Sequence, residues 1–279
     1  MGTVTITTLI ENTAGRPDLH AEHGLAFWID TGRHRVLFDT GQSDAVLANA
    51  RKLGLRLEDA DAVVLSHGHY DHTGGLAGVL LLAHKARVFL HPAALSAKYA
   101  RDTDGRCRAI GMPRPCQVAL SEHPVGAAPT ERVTEVVAGV FVTGAVPRTN
   151  DFEDTGGPFF LDEACTQPDP LLDDQALFIH SPEGLVVLLG CAHAGIVNTL
   201  EYIRRVTDRT MHTVLGGTHL VGANEDRLDR TVQALRRLDV RRLGPAHCTG
   251  PAATARLWQS LHDRCFSCSG GTQLQIEGP

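Results

Sequence analysis

The sequence predicts an α/β protein in which strands and helices pack as layers around a substantial core. Short runs rich in β-branched and aromatic residues alternate with helical patterns along most of the 279 residues. Hydrophobic residues make up 43% of the chain and charged residues 21%, proportions that fit a globular protein and exclude a disordered one. Since no repeat, low-complexity tract or linker divides the chain, we expect one domain over residues 1–279.

The first third of the chain is predicted to consist of short strands separated by glycine-containing turns and by two helices. Ser43 is the candidate N-cap of the first helix, and Gly54 is its stop signal. The predicted elements are, in order, strands at 3–10, 25–29 and 35–38, a helix at 43–53, a strand at 62–65, a helix at 73–83 and a strand at 87–90.

Two stretches, 99–135 and 146–173, interrupt the regular pattern and are predicted to be irregular insertions. They are too long for plain connectors, which favours an active-site lid or a substrate loop; an irregular surface excursion is the alternative. Regular structure is predicted around and after them, with strands at 140–143, 175–180, 185–190, 212–216, 240–243 and 272–276 and helices at 196–206, 225–238 and 252–263.

Composition excludes several classes of partner and points to a metal. The formal charge is −6 and basic residues occur only as isolated pairs, so neither nucleic acid nor an anionic membrane is an expected partner. No apolar run approaches the roughly 18 to 20 residues of a membrane span, and the start lacks the pattern of a signal peptide.

Seven irregularly spaced cysteines argue against a disulfide framework, so a reducing cytoplasm is expected. The surplus of fifteen histidines points to metal binding.

The segment SHGHYDHTGG follows directly on a short apolar strand and carries the strongest chemical signal in the chain. His67 and His69 lie on one side of an extended segment because side chains alternate with period two. Asp71 and His72, beyond the turn, can reach a second position a few ångströms away. Imidazole nitrogens and a carboxylate suit Zn²⁺, and also Mn²⁺ or Fe. The alternative is a surface histidine cluster without metal.

Three further histidines end predicted strands and extend this pattern. His193 follows LVVLLGCA, His219 follows TVLGGT and His247 follows RRLGPA. In α/β proteins the active-site residues collect where strands end at one edge of a sheet. Taken singly, each of these histidines could equally be structural, but three at equivalent positions favour a shared site.

With these motifs in view, the chain resembles the metallo-β-lactamase superfamily, through LFDTG, SHGHYDH and the later histidine-bearing strand ends. More narrowly it is similar to the branch that includes the archaeal dihydropterin–ribofuranosylaminobenzene phosphate synthase. The segments behind that match are AEHGLAFWIDTG (21–32), VLFDTGQS (36–43), GAVPRTNDFE (144–153), GCAHAGIVN (190–198), LGGTHL (215–220) and AHCTG (246–250).

The resemblance implies a four-layer αββα sandwich with two metal ions at one edge of its sheets. It implies that His67 and His69 bind the first ion, whereas Asp71, His72 and His247 belong to the second. Asp39 matches a carboxylate that orients ligand histidines. The family's bridging aspartate is replaced by Cys191 in a Gly-Cys dipeptide, so His193 is expected to complete the first site. Cys191 is then either a soft metal ligand or a buried structural cysteine.

Other polar residues have two open interpretations each. His23 is a proton shuttle or substrate contact, or else a hydrogen-bonded turn histidine. His219 contacts substrate or an oxyanion, or binds metal. Arg148 grips a phosphate or carboxylate of the substrate, or is a solvated surface residue. Cys265 and Cys268 have the spacing of a small zinc or redox motif, but no second pair accompanies them.

The main functional hypothesis is a metal-dependent hydrolase in which a metal-activated water acts on an ester, lactone, thioester or phosphoester. Asp71 would position that water and take its proton, and His219 or His23 would steady developing charge. The resemblance suggests a second hypothesis, condensation of a dihydropterin with an aromatic amine ribosyl phosphate. A third is a metal-binding sensor or scaffold without catalysis. The expected partner is a small molecule, phosphorylated or pterin-like, and the expected cofactors are two divalent ions, zinc first.

Overall fold

A computed structural model describes residues 2–278 and places most of the strands in two large sheets. The seven strands of the first sheet are, in spatial order, β16 (Gln273–Glu277), β1 (Thr3–Ile10), β2 (Ala26–Asp30), β3 (Arg35–Phe38), β4 (Ala62–Val64), β5 (Arg87–Leu90) and β8 (Ala127–Pro129). The six strands of the second sheet are, in spatial order, β15 (Arg242–Ala246), β14 (Met211–Gly217), β13 (Gly184–Leu189), β12 (Leu177–Ser181), β10 (Val140–Val142) and β9 (Thr134–Val137).

The two sheets pack face to face through one apolar layer. Alternate residues of each strand point into this layer, as Val36 and Phe38 of β3 and Val186 and Leu188 of β13 do. The intervening residues, Leu37 among them, face outward against helices. Strands covered on both faces read as nearly continuous apolar runs, which is why the sequence marks them clearly.

Helices cover the outer face of each sheet and complete four layers. The first sheet is covered by α1 (Ala45–Lys52), α3 (Leu76–Leu82) and α4 (Arg114–Glu122). The second is covered by α5 (Ile196–Thr207), α6 (Glu225–Arg237) and α7 (Pro251–Leu261). The αββα layering expected from the sequence is therefore confirmed.

The helix expected at 73–83 is two helices, α2 (Tyr70–Thr73) and α3. Gly74 and Gly75 separate them because the backbone of the 40–43 turn presses against both. A Cβ on Gly74 would lie 2.1 Å from the carbonyl oxygen of Gln42, and one on Gly75 would lie 2.4 Å from that of Thr40. This close approach also brings the β3 and β4 strand ends together.

The stretch 99–135 is more regular than expected. It contains α4, β8 and two short strands, β6 (Tyr99–Arg101) and β7 (Cys107–Ala109). Strands β6 and β7 pair with β11 (Phe159–Phe160), from the second irregular stretch, in a three-stranded sheet of its own. Strands of two or three residues are too short to show a periodic pattern, so the sequence did not reveal them.

A single disulfide, between Cys107 and Cys165, links the two irregular stretches, and the other five cysteines are free. The irregular spacing of the cysteines concealed the pair, because its members are 58 residues apart and meet only through the β6–β7–β11 sheet. Within residues 2–278, no helix combines the length and the apolar character needed to cross a membrane.

Candidate metal centre

The candidate site residues gather where parallel strands end. Strands β3, β4 and β5 are parallel in one sheet, and β13, β14 and β15 are parallel in the other. The segments after β3, β4, β13, β14 and β15 carry, in order, Asp39, the 66–72 segment, Cys191 with His193, His219, and His247 with Cys248. Parallel pairing brings these ends to one edge of each sheet, so residues distant in sequence converge.

Several of these strand ends turn through the left-handed backbone region. The φ angles are 61° at Asp39, 54° at Ala192, 47° at His219 and 51° at His247. Residues other than glycine adopt this conformation at an energetic cost, and such residues concentrate at functional sites. Here the sharp turns aim the side chains back across the sheet edge.

Three imidazoles converge as one group, formed by His67, His69 and His193. Their ring centroids lie 4.6, 4.8 and 4.9 Å apart, and all three side chains are buried. The Nε2 atom of each ring is buried without a hydrogen-bond partner. A buried polar nitrogen left unpaired is costly, and three that face one another offer three ligand atoms to a cation.

Hydrogen bonds at Nδ1 hold two of these rings, His67 and His193, in the orientation that leaves Nε2 free. The Nδ1 atom of His193 lies 2.7 Å from the carbonyl oxygen of Thr155, to which it donates. Ser66 Oγ donates to Asp39 Oδ2 at 2.7 Å and therefore accepts from His67 Nδ1 at 2.9 Å. Both rings consequently carry the proton on Nδ1 and present a lone pair on Nε2.

Burial keeps these imidazoles neutral. It lowers the pKa of His69 to about 3, and it also holds the pKa values of His67 and His193 well below their usual range. Neutral imidazole is the form that binds metal. The group is thus ready to accept a cation at neutral pH.

A second group surrounds the carboxylate of Asp71. Its Oδ2 atom lies 3.2 Å from His23 Nε2, 3.3 Å from His247 Nε2 and 3.8 Å from His72 Nε2. Burial opposes ionisation of this carboxyl, but the facing histidines outweigh it and hold its pKa well below its usual range. Asn12 Oδ1 lies 2.8 Å from His247 Nδ1 and orients that ring. The group therefore offers a second cation the carboxylate of Asp71 and the imidazoles of His23 and His247, with the ring of His72 next to them.

His72 connects the second group to Asp39. Its Nδ1 atom lies 2.7 Å from Asp39 Oδ2, and both side chains are fully buried. Burial disfavours the charged imidazole, but the carboxylates of Asp39 and Asp71 outweigh it and raise the pKa of His72 to about 9. Asp39 also accepts hydrogen bonds from the backbone and hydroxyl of Ser66, so one carboxylate orients residues of both groups.

Two thiols adjoin these imidazoles. Cys191 Sγ lies 3.1 Å from His72 Nε2, so this cysteine points into the site rather than into the apolar core. Cys248 lies beside it, and the backbone N–H of His219 donates to Cys248 Sγ at 3.3 Å. Cys248 was not predicted as a site residue, although it lies in AHCTG, one of the segments that carry the family resemblance.

Buried acidic residues of the 169–174 segment hold the loops that carry the three-imidazole group, through hydrogen bonds to the loop backbone. Asp173 accepts from the backbone N–H of Gly68, between His67 and His69, at 2.8 Å. Its other oxygen accepts from Lys98 Nζ at 2.8 Å. Asp174 accepts from the N–H of Ala194, next to His193, at 2.8 Å, and burial raises the pKa of Asp174 to about 6. No motif in the sequence indicated this support.

A cavity of about 400 Å³ opens onto both groups. His69, Asp71, His193, His219 and His247 line its floor, and His23 lies at its half-exposed margin. The ring of Phe159, from the three-stranded sheet, covers one side at 5.1 Å from His69 and 5.2 Å from His193 between ring centroids. The cavity has room for a small molecule beside the converging donors.

The structure brings together nearly all the residues predicted for the site. The six predicted metal ligands lie in the two groups, and Asp39, Cys191, His219 and His23 surround them. Arg148 is not among them: it is exposed, and its guanidinium donates to the carbonyl oxygen of Pro170. Arg108, which was not predicted as a site residue, lines the cavity instead. Cys265 and Cys268 are buried free thiols outside both groups.

Relatives of the chain agree with this architecture. It is 29% identical over 269 residues to the 7,8-dihydropterin-6-methyl-4-(beta-D-ribofuranosyl)-aminobenzene-5'-phosphate synthase of Methanocaldococcus jannaschii, covering 88% of each protein. It is 32% identical over 260 residues to an uncharacterized protein of the same organism, covering 91% of this chain and 94% of that one. These relatives confirm the branch that the sequence motifs indicated.

A solved structure shows the same fold over almost the whole chain. It is that of Tm1679, a metal-dependent hydrolase of the beta-lactamase superfamily, with a TM-score of 0.85 and 32% identity. The match covers 98% of this chain and 99% of that one. The profile of the Metallo-beta-lactamase superfamily matches residues 21–247, which include every donor of the two groups. The chain therefore belongs to the metallo-β-lactamase superfamily.

Proposed function

We propose that the protein is a metal-dependent hydrolase that acts on an ester, lactone, thioester or phosphoester. The observation that carries the proposal is the set of three buried Nε2 atoms of His67, His69 and His193, which face one another without protein partners. The donor set suits zinc, with manganese and iron as alternatives. A divalent ion bound there would supply Lewis acidity and would lower the pKa of a bound water towards about 7.

The first group would hold one ion through His67, His69 and His193, and the second group would hold another through Asp71, His72 and His247. The support for the second assignment is the position of the two imidazoles, whose Nε2 atoms lie 3.8 Å (His72) and 3.3 Å (His247) from Asp71 Oδ2. Asp39 would fix the ring of His72 through the 2.7 Å contact to Nδ1.

The side chains around the cavity suggest how the chain would assist hydrolysis. The ionised carboxylate of Asp71 would orient a water molecule and accept its proton. His23, whose hydrogen bond to Asp71 raises its pKa, stands at the cavity margin and would pass that proton to solvent. His219 would stabilise negative charge on the substrate, because its Nδ1 atom is buried without a partner at the cavity wall.

The substrate would carry an anionic group. Among the cavity-lining residues that the structure describes, Arg108 is the only lysine or arginine, and its side chain is half exposed. A guanidinium in that position would bind a phosphate or carboxylate through two parallel hydrogen bonds. Phe159 and Tyr70 line the same cavity and would pack against an apolar or aromatic portion of the molecule.

A synthase is the second candidate, because the methanocaldococcal relative named above is one. The activity would be a condensation between a dihydropterin and an aromatic amine ribosyl phosphate. The same cavity would then have to hold both reactants, and Arg108 would bind the phosphate. Direct assay for the coupled pterin distinguishes this function from hydrolysis.

The test combines metal analysis with a substrate panel. Purified protein is loaded with Zn²⁺ or Mn²⁺ and assayed against esters, lactones, thioesters and phosphoesters, and separately with the two condensation reactants. We expect turnover of one hydrolytic class and at least two ions per chain.

Single replacements then examine the three-imidazole group. His69→Ala and His193→Ala should each remove the first ion and reduce kcat by a hundredfold or more, roughly the contribution of an electrostatic catalyst. His84→Ala is the matched control, because His84 is exposed and distant from the strand ends. Full activity in both site variants would exclude the proposed mechanism.

A further inference from the structure

Three neighbouring parallel strands each end in a soft or borderline metal donor that the proposed function leaves without a ligand role. Cys191 follows β13, His219 follows β14 and Cys248 follows β15. One donor atom from each residue lies within 4.8 Å of the other two. Adjacent strands in parallel register place the three side chains in one row along the sheet edge.

The surrounding backbone is shaped to hold this row. The N–H of His219 donates to Cys248 Sγ at 3.3 Å, and Cys248 Sγ donates to the carbonyl oxygen of Cys191 at 3.6 Å. Gly217 makes room for the sulfur, since a Cβ there would lie only 2.6 Å from Cys248 Sγ. The thiol of Cys248 is therefore fixed beside the other two donors rather than packed at random.

The imidazole of this row, that of His219, has a ring nitrogen free to bind a ligand. His219 Nδ1 is buried and has no hydrogen-bond partner within the protein. A buried nitrogen of this kind is expected to bind a ligand, an ion or a water molecule. All three residues also line the 400 Å³ cavity, so a small ion can reach them.

We propose that Cys191, His219 and Cys248 form a third cation site, which binds a thiophilic divalent ion such as Zn²⁺. Two thiolates and one imidazole are a typical zinc donor set, and three protein ligands leave a fourth position open. That position would face the cavity, where the bound ion would stabilise negative charge on the substrate in place of the His219 ring. Cys191 lies 3.1 Å from His72 Nε2, so the third site adjoins the second group and the thiolate can be shared between them.

Cadmium is the probe that separates this site from the other two. Charge-transfer absorption between a thiolate and Cd²⁺ reports sulfur ligands alone, and the imidazole and carboxylate groups contribute nothing to it. Metal-free, full-length protein with the Cys107–Cys165 disulfide intact is titrated with Cd²⁺. We expect a saturable band that falls by about half in Cys248→Ser and disappears when Cys191 is also replaced.

Matched variants keep the result interpretable. Cys116→Ser is the control, because Cys116 is another buried free thiol and lies on α4, in the helical layer outside the first sheet. It should leave the band unchanged. His69→Ala should also leave it unchanged even though it disables the first group, so failure of the hydrolase proposal and failure of this one are distinguishable.

Three outcomes would overturn the third site. A wild-type protein without the band would do so, as would a Cys248→Ser variant that retains the full band. If Cys248→Ser fails to fold, His219→Gln retains both thiols and provides the decisive measurement. It should weaken Cd²⁺ binding at least tenfold, and unchanged affinity in that variant would contradict the proposal.

Discussion

Replacing Asp39 with asparagine should remove most of the pH-dependent stability that the metal-free protein gains from His72. The two side chains are fully buried and their facing atoms are 2.7 Å apart. Burial alone would disfavour the charged imidazole, yet the carboxylates of Asp39 and Asp71 raise the pKa of His72 to about 9. An amide at position 39 cannot compensate the imidazolium charge, so this pKa should fall towards its ordinary value.

The magnitude follows from the difference between the folded and unfolded pKa values of His72. These are about 9 and 6.5, and each pKa unit corresponds to about 1.4 kcal/mol. The charged ring thus contributes about 3 kcal/mol to the free energy of unfolding. Because the folded pKa is the higher one, this contribution is complete below pH 6.5 and is lost as the pH rises through 9.

The assay is urea denaturation of four chelator-treated proteins at pH 6 and pH 10. They are the wild type, Asp39→Asn, His72→Gln and the double variant, which together form a double-mutant cycle. The coupling energy between positions 39 and 72 should be about 2 kcal/mol larger at pH 6 than at pH 10, because Asp71 supplies the rest of the shift. His84→Gln serves as an exposed control. Equal coupling energies at the two pH values would show that the pair does not depend on a charged His72.

Three further predictions concern a buried lysine behind the site, an aromatic ring that covers one side of the cavity, and an arginine that would bind an anionic substrate. Lys98→Met should destabilise the protein by about 3–5 kcal/mol, because it leaves the buried carboxylates of Asp169 and Asp173 without their cation. Urea denaturation measures this loss, and Lys85→Met, at an exposed position, should have little effect. Phe159→Ala should raise KM about three- to tenfold through lost ring contacts, with an unchanged unfolding curve. Arg108→Met should weaken binding of an anionic substrate or product by about tenfold to a hundredfold, measured calorimetrically, whereas the same change at Arg148 should not.

Strand positions were predictable from the sequence because strands that are buried on both faces have a strong signature. The strands at 3–10, 35–38 and 87–90 match the structure to the residue. Each contributes to the layered core, and glycine, proline or charged residues mark its ends. The convergence of His193, His219 and His247 was predictable for a related reason, since each follows such a strand.

The hydrogen bonds that hold the site from residues far away in the sequence could not be predicted, because no local sequence pattern indicates them. The hydrogen bond from Gly68 to Asp173 spans 105 positions, and the partner of that aspartate, Lys98, lies in a stretch without clear periodicity. Arg148 was predicted to contact the substrate because it is an arginine in an irregular loop. Arg108 lines the cavity instead, because β7, which carries it, pairs with β6. Pairing of two three-residue strands leaves no periodic signal in a single sequence.

The left-handed turns at the strand ends limit how this protein can be stabilised by engineering. Each non-glycine residue in that conformation costs on the order of 1–2 kcal/mol, somewhat less for aspartate, which is a sizeable share of the stability of an ordinary domain. Glycine at His219 or His247 would recover that cost and delete a side chain that the cavity needs. Among the four strand-end turns, Ala192 is the position where glycine removes no polar side chain. Selection for more stable variants should therefore recover glycine at 192 and reject it at the histidine turns.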